Sequence, residues 1–202
     1  MKKIAFFLLL LSLQLTAFEN LTEARVGYFI PTDAQFRHNY GQDGIISSLE
    51  SSFNAGRNFW PWVNISYYGN ASHPDAGGGK KSHIYMIPVG AGLKYLYFFK
   101  HFGVYGGLGV LPTYLHIENN SPLLVRTQQK WGCGGVAKGG VISNRLWNFF
   151  LDLFAEYSYI KIPFHNDPDL TLHPANLSHF TIGGGIGYHF GPCSSEDEDD
   201  NY

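Results

Sequence analysis

Three stretches of this chain alternate large apolar residues with small or polar ones at a period of two, and no helix generates that pattern. In His179–Phe190, the residues Phe180, Ile182, Ile186, Tyr188 and Phe190 alternate with His179, Thr181, Gly183, Gly185, Gly187 and His189. Tyr85, Ile87, Val89, Ala91, Leu93, Tyr95, Tyr97 and Phe99 form a second face of this kind, opposite Gly90, Gly92 and Lys94. Leu151, Leu153, Ala155, Tyr157 and Tyr159 form a third, opposite Asp152, Glu156 and Ser158. Weaker runs over 24–30, 45–53, 59–68, 102–117 and 130–142 bring the expected count to eight strands. With 202 residues the chain holds one domain or two small ones.

The connections alternate in length. Segments near 31–44, 69–82, 118–129 and 163–178 are long and contain the Gly, Pro, Asn and Asp typical of loops, whereas 54–58, 100–101 and 143–148 are tight. That is the signature of an all-β, antiparallel, up-and-down eight-stranded barrel whose long loops share one rim. Alternation does not say which face points outward, so a soluble barrel or sandwich has to be weighed against a transmembrane one. Only 15% of residues are charged, against 16% aromatic and 24 Gly, where an ordinary soluble domain has about 25% charged. The strand positions opposite the apolar faces carry mostly Gly, Ser, Asn and His, which suits a crowded interior better than a solvated surface. Aromatics sit in pairs at strand ends on the apolar face: Phe59 with Tyr67, Tyr85 with Tyr95, Phe149 with Tyr157, Phe180 with Tyr188. Eight to ten residues between them span roughly 20–25 Å, close to the apolar band of an outer-membrane barrel. A near-zero charge balance with dispersed Lys and Arg excludes the basic face that nucleic acid requires.

Lys2 and Lys3, the apolar run Ile4 to Leu13, and Leu15-Thr16-Ala17 read as a cleaved export signal over 1–17, too short to span a bilayer as a helix. The barrel is then expected over 18–191, followed by an acidic, disordered periplasmic tail over 192–202 carrying Glu196 to Asp200.

The pattern resembles the eight-stranded bacterial outer-membrane barrels that include the OmpA membrane domain, OmpX and OmpW. Its motif-like piece is the last strand, where Gly185, Tyr188 and Phe190 are similar to the family's insertion signal, with Gly183 at the position that is usually polar. The resemblance implies integral residence in the outer membrane of a Gram-negative bacterium. It also implies contact with lipid and lipopolysaccharide, and delivery by the barrel assembly machinery.

On the polar face, Arg25, Glu50, Lys94, Lys138, Asp152 and Glu156 are expected to meet inside a lumen too narrow for water, three of each sign. Lys138 and Asp152, on neighbouring strands, are the expected direct pair. A plug of this kind satisfies polar side chains; a gate would use the same residues to conduct. Trp60, Trp62, Phe150 and Phe154 fall on the same face and are candidate lumen lining. Two roles remain open: a structural or surface-interaction protein whose loops contact the outside or a host, and a narrow OmpW-like channel for small hydrophobic compounds. Catalysis, as in the barrel enzymes that modify lipid A, is not expected. Ser178 and His179 are adjacent in a strand and should face opposite sides, and Ser72, His73 and Asp75 have no supporting motif. The loop histidines His38, His73, His83, His165 and His173, even with Asp75, Asp167 and Asp169 nearby, have no ligand spacing, so neither a metal nor a cofactor is expected. Cys133 and Cys193 lie on non-adjacent segments, and free thiols are at least as well supported as a disulfide.

Overall fold

Ten strand segments build one sheet closed on itself in the computed structural model, which describes residues 19–34, 36–37, 43–72, 82–119, 127–143, 148–162 and 175–191. They are β1 (Asn20–Pro31), β2 (Gly44–Phe53), β3 (Phe59–Ser72), β4 (Ser82–Phe98), β5 (Phe102–Val110), β6 (Thr113–Asn119), β7 (Thr127–Ser143), β8 (Phe149–Ile162), β9 (Ala175–Asn176) and β10 (His179–Phe190). Two pairs of segments are single spans. The register against β4 is the same before the gap, Ala91 facing Val110, and after it, Pro88 facing Thr113. The gap is Leu111–Pro112, where proline has no N–H to give the ladder. Likewise β9 and β10 hold one register along β8. The wall therefore has eight antiparallel spans, and β1 pairing with β10 closes it. The expected signal segment and acidic tail lie outside the described residues.

Following hydrogen-bonded partners sideways from Leu21 leads to Ser52, Trp62, Gly92, Gly109, Val136, Ser158 and His179, and returns to β1 at Pro31, ten residues along. With eight spans, that stagger inclines the strands by about 40° and leaves an interior that side chains can fill. The tight connections occupy one rim. Gly56, Arg57 and Asn58 take positive φ to reverse the chain between β2 and β3, and the Asn54 side chain accepts a bond from the Gly56 N–H at 2.8 Å.

Strands run further than the alternation indicates. β3 continues to Ser72 and β7 begins at Thr127, inside segments read as loops, and β8 reaches Ile162, up to the start of a third. Approaching these ends both faces turn apolar, as in Tyr67-Tyr68 and Tyr159-Ile160, or both turn polar, as in Thr127-Gln128-Gln129, so the period of two fades although the ladder continues.

The outer surface is apolar. Leu153 is 71% exposed, Leu108 69% and Ile45 66%, with Val26, Leu49, Val63, Ile65, Leu151, Ile182 and Ile186 all more than half exposed. In water such a belt far exceeds the patch a monomer tolerates; in lipid it is the expected surface. Aromatics border it on both sides. Phe59, Tyr95, Phe99, Phe102, Phe149 and Phe190 stand at the tight-turn rim, and Tyr28, Tyr67, Trp131, Tyr157 and Tyr159 toward the other.

Candidate functional site

The lumen is filled in three layers. At the tight-turn end, Leu21, Trp60, Leu96, Tyr105, Ile142, Phe150 and Phe154 form one apolar cluster. At the long-loop end a larger one gathers residues that include Phe29, Ile46, Tyr68, Ile84, Met86, Leu115, Ile117, Ile160, Ile162 and Leu177. Phe36 caps this upper cluster, its ring 6.3 Å from that of Phe29. A turn holds it there, since the Phe36 N–H donates to Asp33 Oδ1 at 2.9 Å.

Between the two lies a network of charges. Glu50, fully buried on β2, is its centre: it accepts from Lys138 Nζ at 2.6 Å, Arg25 NH1 at 2.8 Å and Lys94 Nζ at 3.3 Å. Arg25 NH2 reaches Glu23 Oε1 at 2.7 Å and Asp152 Oδ2 at 3.0 Å. The Tyr105 hydroxyl accepts from Arg25 at 2.9 Å and donates to Asp152 at 3.0 Å. Ring faces take up the rest of the positive charge: Lys138 Nζ stands 3.3 Å from the Trp62 ring centre, and Arg25 Cζ 4.9 Å from that of Phe154. Removing so many charges from water is tolerable only where each finds partners of opposite sign.

Five of the six residues expected here, Arg25, Glu50, Lys94, Lys138 and Asp152, are joined through these bonds. Glu156 faces inward between Lys138 and Thr181 in the ladder, and its described hydrogen bond comes from Ser158 Oγ at 3.1 Å. Lys138 and Asp152 do not pair directly. Lys138 stands beside Glu156 and Asp152 beside Ile142, so the stagger carries Lys138 toward Glu50 across the lumen and leaves Asp152 to Arg25. Glu23 and Tyr105 belong to the network without having been expected. Glu23 lies just before the run read as β1, although Glu23-Arg25-Gly27 continues that strand's inner face. Tyr105 was masked by its aromatic character in a glycine-rich strand.

Inner glycines make room for the large rings. A Cβ on Gly109 would come within 2.5 Å of Trp62, and one on Gly187 within 2.1 Å of Phe150. The four aromatics expected as lining are all buried, but they do not line one passage: Trp62 belongs to the upper cluster, and Trp60, Phe150 and Phe154 to the lower.

No protein-family model and no curated protein matches the chain. Solved structures do. Neisserial surface protein A aligns with a TM-score of 0.54 at 15% identity, over 85% of this chain and 95% of that one. Ail of Yersinia pestis, in complex with the heparin analogue sucrose octasulfate, aligns at 0.55 and 13% over 86% and 99%. OprG of Pseudomonas aeruginosa aligns at 0.56 and 14% over 88% and 98%. The fold is that of the eight-stranded outer-membrane barrels.

As in such barrels, the closing strand runs from one rim to the other. Gly185 faces the lumen against Arg25, while Tyr188 and Phe190 meet edge to face, ring centres 4.7 Å apart, on the lipid side of the tight-turn rim. His189 turns inward there and meets Glu19 at 2.8 Å, whose other oxygen accepts from Asn54. Both Ser178 and His179 are buried, so strict alternation fails at the break before β10. Each is committed elsewhere, the Ser178 hydroxyl to Asn176 Oδ1 at 2.5 Å and His179 Nδ1 to the Leu177 carbonyl oxygen at 2.9 Å. His83 lies on the outer face of β4, beside the long connection that precedes it. His38, His73, His165, His173 and Cys193 are outside the described residues. Cys133 is a free thiol on the outer face, and among the described residues no group of three metal-binding side chains occurs.

Proposed function

We propose that this chain is an integral protein of a Gram-negative outer membrane whose lumen is closed and whose work is done by its outer face and long-loop rim, in a structural or surface-interaction role. The observation that carries this reading is the sandwich: a charged network centred on Glu50 lies between two packed apolar clusters, so an ion crossing the lumen would meet hydrocarbon twice. Ail, a barrel of this fold, was solved in complex with the heparin analogue sucrose octasulfate, which supports a ligand-contacting role for such barrels. The test is planar-bilayer conductance of the refolded protein. Silent bilayers containing heat-modifiable protein are expected, and a steady unitary conductance would overturn the closed lumen.

A second reading, a narrow path for small hydrophobic compounds, draws on one feature of the wall. The β3–β4 ladder skips Ser66 and Tyr67 opposite Pro88 and Ile87, whereas at Leu111–Pro112 the Val89 N–H still donates to the Pro112 carbonyl at 2.8 Å and Leu111 exchanges bonds with Gly134. Pro88 thus thins the wall between β3 and β4 beside the upper apolar cluster. Uptake of a hydrophobic dye into vesicles that is lost on restoring the ladder with Pro88→Val would favour this path over the closed barrel.

A further inference from the structure

Between the charged network and the upper apolar cluster, the lumen is walled by its smallest side chains. Gly27, Ser48, Ser66 and Gly90 occupy this level on β1 to β4, and Glu156 with Thr181 completes it on β8 and β10. Glu156 and Ser48 point inward, yet both keep accessible surface, so the level holds a cavity enclosed by the wall. Oxygens at this level have no protein partner. Thr181 is 3% exposed, and its hydroxyl makes no hydrogen bond within the protein. Its methyl group is turned to Gly27, where a Cβ would come within 2.5 Å of it. The hydroxyl is thereby left to the β8 side, where Glu156 stands opposite Thr181 in the ladder. The side-chain oxygen of Asn64, over Gly90, is likewise unpartnered. Buried polar atoms of this kind call for a group that satisfies them.

Charge says which group. Among the described residues between the two apolar clusters, Glu23, Glu50, Asp152 and Glu156 stand against Arg25, Lys94 and Lys138, which leaves the lumen one positive charge short. Glu23, Glu50 and Asp152 each pair with Arg25. Glu156 pairs with none of the three bases, and its one described hydrogen bond comes from the Ser158 hydroxyl. Water would satisfy the hydroxyls without supplying charge, and a proton on Glu156 would supply charge without filling the cavity. Carboxylate and hydroxyl oxygens are the donors that hard cations take, and a deficit of one charge selects a monovalent ion. We propose that the lumen holds one sodium ion at this level, between the Glu156 carboxylate and the Thr181 hydroxyl. The proposal goes beyond the surface role above and rests on its closed lumen only for the ion's retention.

The experiment refolds the full-length protein in sodium chloride or in choline chloride of equal ionic strength. Two quantities are read: sodium retained after desalting, by atomic emission, and the temperature at which heat-modifiable migration is lost. Wild type refolded in sodium should retain it stoichiometrically and melt roughly 4 °C above the choline form, the shift expected for a chain of this size with the ion about ten-fold above its Kd. Glu156→Gln removes the surplus charge; it should retain no sodium and melt alike in both salts, no lower than wild type in choline. Thr181→Val keeps the shape without the hydroxyl and should weaken the sodium response about ten-fold; it carries the test if Glu156→Gln fails to fold. Glu118→Gln, on the outer face, should leave both quantities unchanged. Wild type that retains no sodium and melts alike in the two salts overturns the proposal, as does a sodium effect that survives Glu156→Gln. A choline form that gains the same stability when the pH is lowered, with no sodium retained in either salt, would put a proton in the ion's place and overturns it too. Sodium that raises the melting temperature but washes out on desalting supports the site and counts against the closed lumen, which bilayer conductance reads independently.

Discussion

The middle and upper layers of the lumen are walled by the same eight spans at the same period, yet they are filled by opposite chemistries. Below, Glu50 gathers three cations within 3.3 Å; above, Ile84, Met86, Leu115 and Ile160 are packed against one another with at most 1% of their surface exposed. The two solutions carry different risks. Apolar packing degrades gradually, because a lost methyl leaves a small cavity, whereas a buried ionic network fails abruptly, because a lost partner strands a charge. A barrel tolerates the second kind of filling where long side chains from several strands converge on one acceptor, and Arg25, Lys94 and Lys138 arrive from β1, β4 and β7.

The largest effect should follow from neutralising that acceptor. Glu50→Gln keeps the shape but leaves three buried cations short of a counter-ion, and should cost about 3–5 kcal/mol in urea unfolding of the refolded barrel. A loss below about 1 kcal/mol would mean the remaining acids redistribute to cover it, and the contrast between the two layers would collapse. Next comes a deletion in the upper layer: Ile160→Ala should cost about 2–3 kcal/mol. A double-mutant cycle sharpens the ionic side. Lys138 with Glu50 should couple by about 2 kcal/mol and Lys138 with Asp152 by less than about 0.5 kcal/mol, and the reverse order would show that the register from β7 to β8 is wrong. Ile160→Leu, which preserves volume, should cost under about 1.5 kcal/mol. If it costs as much as Glu50→Gln, the upper layer is as exacting as the charged one. The smallest change in stability, about 1 kcal/mol, is expected for Phe190→Asp, since a carboxylate at the membrane edge is cheap. Its effect should appear instead in the yield of heat-modifiable protein in isolated outer membranes, which a truncation after Gly191 should leave intact.

The barrel was legible because one face of most strands is apolar and the other holds glycine or polar residues, and because long and tight connections alternate. The charged layer was legible for the same reason: a Lys, Arg or acid on a strand's polar face has only the lumen to enter. Pairing inside the lumen was not legible. It depends on the ten-residue stagger, which alternation along a single strand does not encode, and so Lys138 was matched with Asp152 when it meets Glu50. The upper cluster was hidden for the opposite reason. At Tyr67-Tyr68, Ile84 to Ile87 and Tyr159-Ile160 both faces are apolar, and a signal built on contrast vanishes where lipid and core demand the same residues.

The inner face of the closing strand has its own consequence. Gly183, Gly185 and Gly187 stand where Phe154, Arg25 and Phe150 fill the space, and a Cβ at any of the three would come within 3 Å of its neighbours. Over that stretch β10 brings almost no bulk of its own to the lumen. A smooth strand can be laid against β1 and β8 after the rings and charges have found their places, with no side chain to thread past another. The last strand thus leaves one order of making such a barrel sterically open: contents first, then the final stave.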